Sequence, residues 1–135
     1  MTLASSVTAL ARLAALVSGL IFVSEADHEL TVLRLGALPK LEPEPVLRAL
    51  GKPADSRFEI VSVSDFFAPA LREHAFHSAE ERAVVARYRA LVEYLTMQLA
   101  GACVLRVGAI KIDVYAVGRT SDHDWVGVAT QVVET

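Results

Sequence analysis

The chain has one cysteine, one tryptophan and two methionines in 135 residues, with seven glycines and five prolines. A lone cysteine, Cys103, cannot close an intramolecular disulfide, which excludes a small scaffold stapled by disulfides. It lies in the apolar run ACVLRV and reads as a small buried hydrophobe, so a reducing compartment and a cytoplasmic location are the expectation. The scarcity of glycine and proline excludes fibrous and low-complexity chains. An excess of positive charge is also missing. With 13 basic against 16 acidic residues, the net charge is −3, and no basic stripe is available to displace phosphate counterions. Direct binding to nucleic acid is therefore not expected. The longest apolar stretch, VTALARLAALVSGLIFV, is interrupted by Arg12 and has neither a basic leader nor a small-x-small cleavage site. It falls short of the roughly twenty residues a bilayer span needs. It reads as a core-packed helix, with no membrane association.

Signatures of catalysis are missing too. No glycine-rich phosphate loop, G-x-S-x-G elbow or Cys-x-x-Cys pair occurs. His74 and His77 are three apart, but they precede the clearest helix and no cysteine or third histidine stands close, so no metal site of the chain's own is expected. Glu42 and Glu44 lie in the turn EPEP, where nothing desolvates one carboxyl relative to the other, and they read as solvated surface. Asp122, His123 and Asp124 offer a base and an orienter without a nucleophile, in a loop, where polar residues collect anyway. The expectation is a protein that is not an enzyme and uses no cofactor.

What is present is apolar periodicity. Hydrophobic residues make up 53% of the chain, enough for one domain spanning residues 1–135 to bury a core. Ser5 and Ser6 can cap a first helix with Leu10, Leu13, Leu16 and Val17 at helical spacing, ended by Gly19. LIFVSEAD runs from an apolar segment into a polar turn with Ser24, Glu25 and Asp27, and a strand follows near Leu30–Leu35, stopped by Gly36. The proline-rich ALPKLEPEPV reads as a stiff connection into a short helix at Pro45–Leu50. Phe58, Ile60 and Val61 mark a second strand, and SDFFAPAL a turn or one helical turn.

Ser78 and Glu81 have the capping-box spacing, and Val84, Val85, Tyr88, Leu91, Val92, Leu95 and Leu99 follow at helical period up to Gly101. The other face of that helix, Arg82, Arg87, Arg89 and Glu93, reads as solvated surface. Three strands follow, CVLRVG, IKIDVYAVG and VGVATQVVET, the second with Ile110, Ile112, Val114 and Ala116 on one face and Lys111, Asp113 and Tyr115 on the other. An antiparallel meander with a long helix packed on it makes the class α+β.

GLIFVSE, SDFF, EERAVVARYRALVE, RVGAIKIDVYAVG and the terminal VVET occur in this order. Together they resemble the nuclease A inhibitor (NuiA-like) family over Gly19–Thr135, most specifically over Glu81–Leu95, Val107–Gly118 and Val132–Thr135. The first helix matches poorly and Asp27–Arg57 loosely. The resemblance implies a three-layer α-β-α sandwich with a mainly antiparallel sheet. It also implies a protein inhibitor that occludes the active-site cleft of a sugar-non-specific, divalent-metal-dependent nuclease of the ββα-metal type. By the same resemblance, Glu25 meets the active-site region and the Thr135 carboxylate reaches the partner's metal, with Glu134, Phe76 and His74 as further contacts. A monomer forming a one-to-one complex is expected.

Two places depart from the family pattern. Phe76 and His77 stand where the family shows an aromatic pair, and the loop Arg119–Val126 brings Trp125 and the Asp122-His123-Asp124 cluster to a position where partner specificity is expected. The alternative is a small α/β binding module that keeps the fold with another partner. A third reading, an enzyme using His74, His77 or His123, requires a polar pocket with a strongly perturbed titrating group, and histidines that are all exposed and far apart would end it.

Overall fold

A computed structural model describes residues 2–134. The Thr8 amide donates to Ser5 Oγ at the start of α1 (Ser6–Val17), where a short hydroxyl satisfies one of the free amides of the first turn. Ala9, Leu13 and Val17 form its buried stripe. Past Gly19, which takes φ 70°, the apolar segment before Ser24 is a strand after all. It is β1 (Ile21–Val23), and it pairs antiparallel with β2 (Asp27–Glu29) around the Ser24–Ala26 turn. Neither strand was legible in the sequence, because three residues are too few to show an alternation. β3 (Thr31–Gly36) follows.

The proline-rich connection enters α2 (Pro43–Leu50), which starts two residues before the expected Pro45 because proline in a first turn sacrifices no helical hydrogen bond. Then come β4 (Phe58–Val61) and α3 (Val63–Phe67), the latter running into a 3-10 turn at Ala68–Leu71. The long helix α4 (Ala79–Gln98) has the full capping box, with Ser78 accepting from the Glu81 amide and Glu81 accepting from the Ser78 amide. It is followed by β5 (Ala100–Gly108), β6 (Lys111–Arg119) and β7 (Trp125–Val133).

Five strands form one antiparallel sheet in the order β3-β7-β6-β5-β4, and the β1-β2 hairpin is a separate two-stranded sheet. On one face, α1, α3 and α4 bury Leu13, Phe67, Tyr88, Leu91 and Leu95 against Val104, Val114, Val126 and Val128. On the other, α2 buries Val46 and Leu47 against Leu105, Val107, Tyr115, Val117 and Trp125. The fold is α+β, with helices on both sides of the sheet, as the sequence pattern and the resemblance imply. No helix among the described residues is long and apolar enough to cross a membrane.

Three local expectations are corrected. Gly101 does not end α4, because the chain passes directly through extended Leu99 into β5. Its φ of 61° serves instead the irregularity in register between Ala100 and Cys103, where a left-handed glycine opens a bulge. Val84 is 43% exposed, outside the buried stripe of α4. Arg87 is not plain solvated surface either. It is half-buried and its Nη2 donates to the Leu16 and Ser18 carbonyls at 3.0 and 2.6 Å, placing a cation on the negative end of α1.

Candidate functional site

Aromatic packing fixes the base of the β1-β2 hairpin. Phe22 stacks on Phe66 with ring centroids 5.0 Å apart and meets Phe67 and Tyr88 edge-on at 6.0 and 6.1 Å, the arrangements that ring quadrupoles favour. The Tyr88 hydroxyl donates to the Ile21 carbonyl, and burial pushes it well above the ordinary phenol value, so it stays a donor. At the tip, Ser24 Oγ donates to the Ala26 carbonyl at 2.9 Å and closes the turn on itself. Exposed Glu25 sits at the centre of that turn.

The turn lies against the end of β7. β3 pairs with β7 only from Trp125 to Ala129, which leaves the outer edge of the last residues without a strand partner. The hairpin takes that place, and the Val133 amide donates to Ser24 Oγ at 3.2 Å. On the inner edge the pairing with β6 runs out to Lys111–Val133, and the Glu134 amide donates to the Ile110 carbonyl at 2.9 Å. Arg106, on β5, donates from Nη2 to the Glu134 carboxylate at 2.8 Å and from Nε to Glu59 at 3.0 Å. Glu134 is thus held by a guanidinium of its own chain. Thr135, which the resemblance makes the metal-directed tip, lies outside the described residues.

A cleft of about 370 Å³ opens here, with the carboxylates of Glu59, Asp65 and Glu134 on its walls against the single guanidinium of Arg106. A second cleft, of about 320 Å³, shares Phe22, Val23 and Pro69 with it and extends past Arg72, His77 and Glu81 to Val84. Beside that second cleft, the loop before α4 carries a cluster of three rings. His74 stacks on Phe76 at 5.0 Å, and His77 stands edge-on to both at 4.8 and 5.2 Å. Phe76 packs against both imidazole rings and is still 81% exposed, an apolar knob on the loop. His77 Nδ1 accepts from the His74 amide at 3.2 Å and is committed to the loop itself. Among the described residues, no group of three or more His, Cys, Asp or Glu side chains is placed to hold a metal ion.

The fold therefore brings Glu25, Glu134, Phe76 and His74 to one end of the sandwich, with His77, Ser24 and Arg106 joining them. Sequence reasoning missed the last two, although an arginine in the apolar strand CVLRVG and a serine directly before Glu25 were signals. The loop expected to carry specificity is elsewhere. Trp125 pairs with Arg119 at the far end of nine-residue β7, about 26 Å from Val133 at 3.3 Å per residue.

Three of its residues make contacts within the chain. Trp125 is buried and its indole N–H donates to the Leu38 carbonyl at 2.9 Å. Asp124 is 4% exposed and accepts from Arg34 Nε. His123, at φ 63°, turns the loop. Asp122 accepts from the Ser6 amide at 3.0 Å and the Ser6 hydroxyl at 2.6 Å, an anion at the positive end of α1. His123 is exposed and stands with these, while the rings of His74 and His77 lie 4.8 Å apart in the loop before α4.

The hydrogen bonds from Ser6 and then Thr120 hold the Asp122 carboxyl down at about 2, below the ordinary value of 3.8. A folded value below the unfolded one gives stability that is fully present above pH 4 and is lost as pH falls toward 2. The melting-temperature gap between the wild type and Asp122→Asn is therefore expected to be constant above pH 5 and to close between pH 4 and 2. A gap that persists unchanged at pH 2 would contradict this contact.

Two comparisons with known proteins complete the picture. The family model described as Nuclease A inhibitor-like protein (NuiA) matches residues 7–135, nearly the whole chain. A search of curated proteins gave no match. The chain belongs to the nuclease A inhibitor-like family, and that membership brings a general nuclease-inhibitor role and a protein partner.

Proposed function

We propose that this member of the family occludes the substrate cleft of a sugar-non-specific, divalent-metal-dependent nuclease of the ββα-metal type, in a one-to-one complex. Glu25 and the Thr135 carboxylate are the groups nearest the partner's metal in this reading. The observation that carries it is the meeting of the Glu25 turn with the end of β7, through Ser24 Oγ and the Val133 amide. The turn that carries Glu25 and the strand that leads to Glu134 thereby stand side by side, although they are more than a hundred positions apart in sequence.

The chemistry agrees. A cleft that binds a polyanion is cationic, and the hard cation in it takes oxygen ligands, which carboxylates supply as phosphate oxygens do. A group on a packed hairpin, such as Glu25, loses less conformational entropy on docking than one on an unstructured segment. Three carboxylates against one guanidinium in the adjoining cleft add to the attraction. Phe76, braced by His74 and His77, is the apolar anchor, the kind of residue that carries interface energy when it fills a pocket.

The test is a DNA-degradation assay with a ββα-metal nuclease, into which the untagged protein is titrated. Loss of cleavage complete near one equivalent is the expected result. Full cleavage at a large molar excess over several such nucleases would overturn the reading and leave the binding module with a different partner.

A further inference from the structure

We infer that Ser24 is a positioning residue, whose hydroxyl sets where the Glu25 turn stands against the end of β7. Its consequence for inhibition rests on the function proposed above. The contact itself does not.

The outer edge of β7 runs past its pairing with β3. Beyond Ala129, β7 has left β3 behind, and an outward-pointing amide there would be an unpaired strand donor. The Val133 amide is such a donor, and Ser24 Oγ accepts it at 3.2 Å. A hydroxyl suits this place because it has one O–H to give and lone pairs to receive. Here the O–H goes to the Ala26 carbonyl at 2.9 Å and a lone pair takes the Val133 N–H. One side chain closes the turn and fastens it to a strand 109 residues further on.

The other restraints lie elsewhere. Phe22, stacked on Phe66, and Ile21, held by the Tyr88 hydroxyl, fix the base of the hairpin and not its tip. Arg106 fixes the strand end to Glu59 on β4, and Glu134 to the Ile110 carbonyl, and neither reaches the hairpin. Without the Ser24 hydroxyl, the turn and the strand end lose the hydrogen bond that joins them.

Three full-length, untagged forms test this: wild type, Ser24→Ala and Ser24→Thr, the last keeping the hydroxyl. The first measurement needs no nuclease. Amide hydrogen exchange at Val133 should accelerate about tenfold in Ser24→Ala, the effect of one lost hydrogen bond, and return toward wild type in Ser24→Thr. Val114 and Val128, inside the sheet, should not change. Unaltered exchange at Val133 would overturn the contact.

The second measurement is inhibition. Ser24→Ala should weaken it about tenfold in the wild-type background and less than about twofold when Glu25→Gln is already present, because a positioning residue acts through the group it places. The same loss in both backgrounds would mean a general structural role and would overturn the positioning role. If the wild type inhibits no nuclease, the proposed function fails by itself, and the exchange result still decides whether Ser24 holds the turn to the strand.

Discussion

Gly127→Ala is expected to lower the melting temperature by about 15 °C or more, or to leave the chain unfolded. Gly127 lies in the middle of β7, paired with Val117 on one side and Leu33 on the other. A Cβ built there would stand 1.8 Å from the Ala116 carbonyl oxygen and 2.8 Å from Val117 Cα. Those atoms are backbone, so no rotamer change relieves the contact, and β6 and β7 must separate locally. Overpacking costs about 1–3 kcal/mol, and each ladder hydrogen bond lost adds about 1 kcal/mol. A total near 4 kcal/mol is a large part of the roughly 5–15 kcal/mol that holds a domain together. For a chain of this length it corresponds to the stated shift.

Gly118→Ala is the control. There the nearest obstacle is Leu99 Cβ at 2.6 Å, fixed by its own backbone, and only the outer Cδ1 at 3.0 Å can turn aside, so Gly118→Ala should destabilise too, by less than the direct backbone clash at Gly127. Thermal unfolding followed by circular dichroism measures both. A Gly127→Ala melt within a few degrees of wild type would mean that the β6-β7 register is not the one described.

The largest functional effect is expected at the proposed tip. Glu25→Ala, and separately deletion of Thr135 or a tag fused after it, should each weaken inhibition by about a hundredfold or more, the range of interface hot spots. Glu25 is exposed, so its replacement should shift the melting temperature by no more than about 3 °C, the size of a surface-substitution effect. Loss of inhibition without loss of stability separates a contact residue from a structural one. Added salt should slow association of the wild type with the nuclease more than that of Glu25→Ala, since a removed charge no longer contributes to steering. A tagged protein that inhibits as well as the untagged one would remove Thr135 from the tip. Glu25→Ala with full inhibition would remove Glu25.

The long elements were legible in the sequence because their physics is local. Ser78 and Glu81 announce α4 by spacing alone, and each side chain satisfies the other's backbone amide whatever the rest of the fold does. The alternation in IKIDVYAVG follows from the pleat, and Ile112, Val114 and Ala116 do share the core face. Ile110 does not, because it belongs to the turn, where it is 62% exposed. Short elements were hidden for the opposite reason. β1 and β2 exist because Phe22 packs on Phe66, Phe67 and Tyr88, a condition set by distant parts of the chain.

The polar residues divide the same way. Asp122, His123 and Asp124 look like a loop cluster available to a partner until the fold places Ser6 and Arg34 beside the two aspartates, after which they are internal fastenings. Glu134 looks like a free acidic end until Arg106 is found across the sheet from it. Arg87 looks solvated until α1 ends against it.

The sequence by itself determined which segments are helix or long strand, the α+β class, and the family. These depend on caps, periods and ordered blocks that lie within a few turns of chain. Only the tertiary structure decided which end of the sandwich is the candidate site, which carboxylates are taken up internally, and that Ser24 meets Val133. A hydrogen bond between residues so far apart depends on how strands are ordered in a sheet and where β3 stops along β7, and no local pattern encodes either.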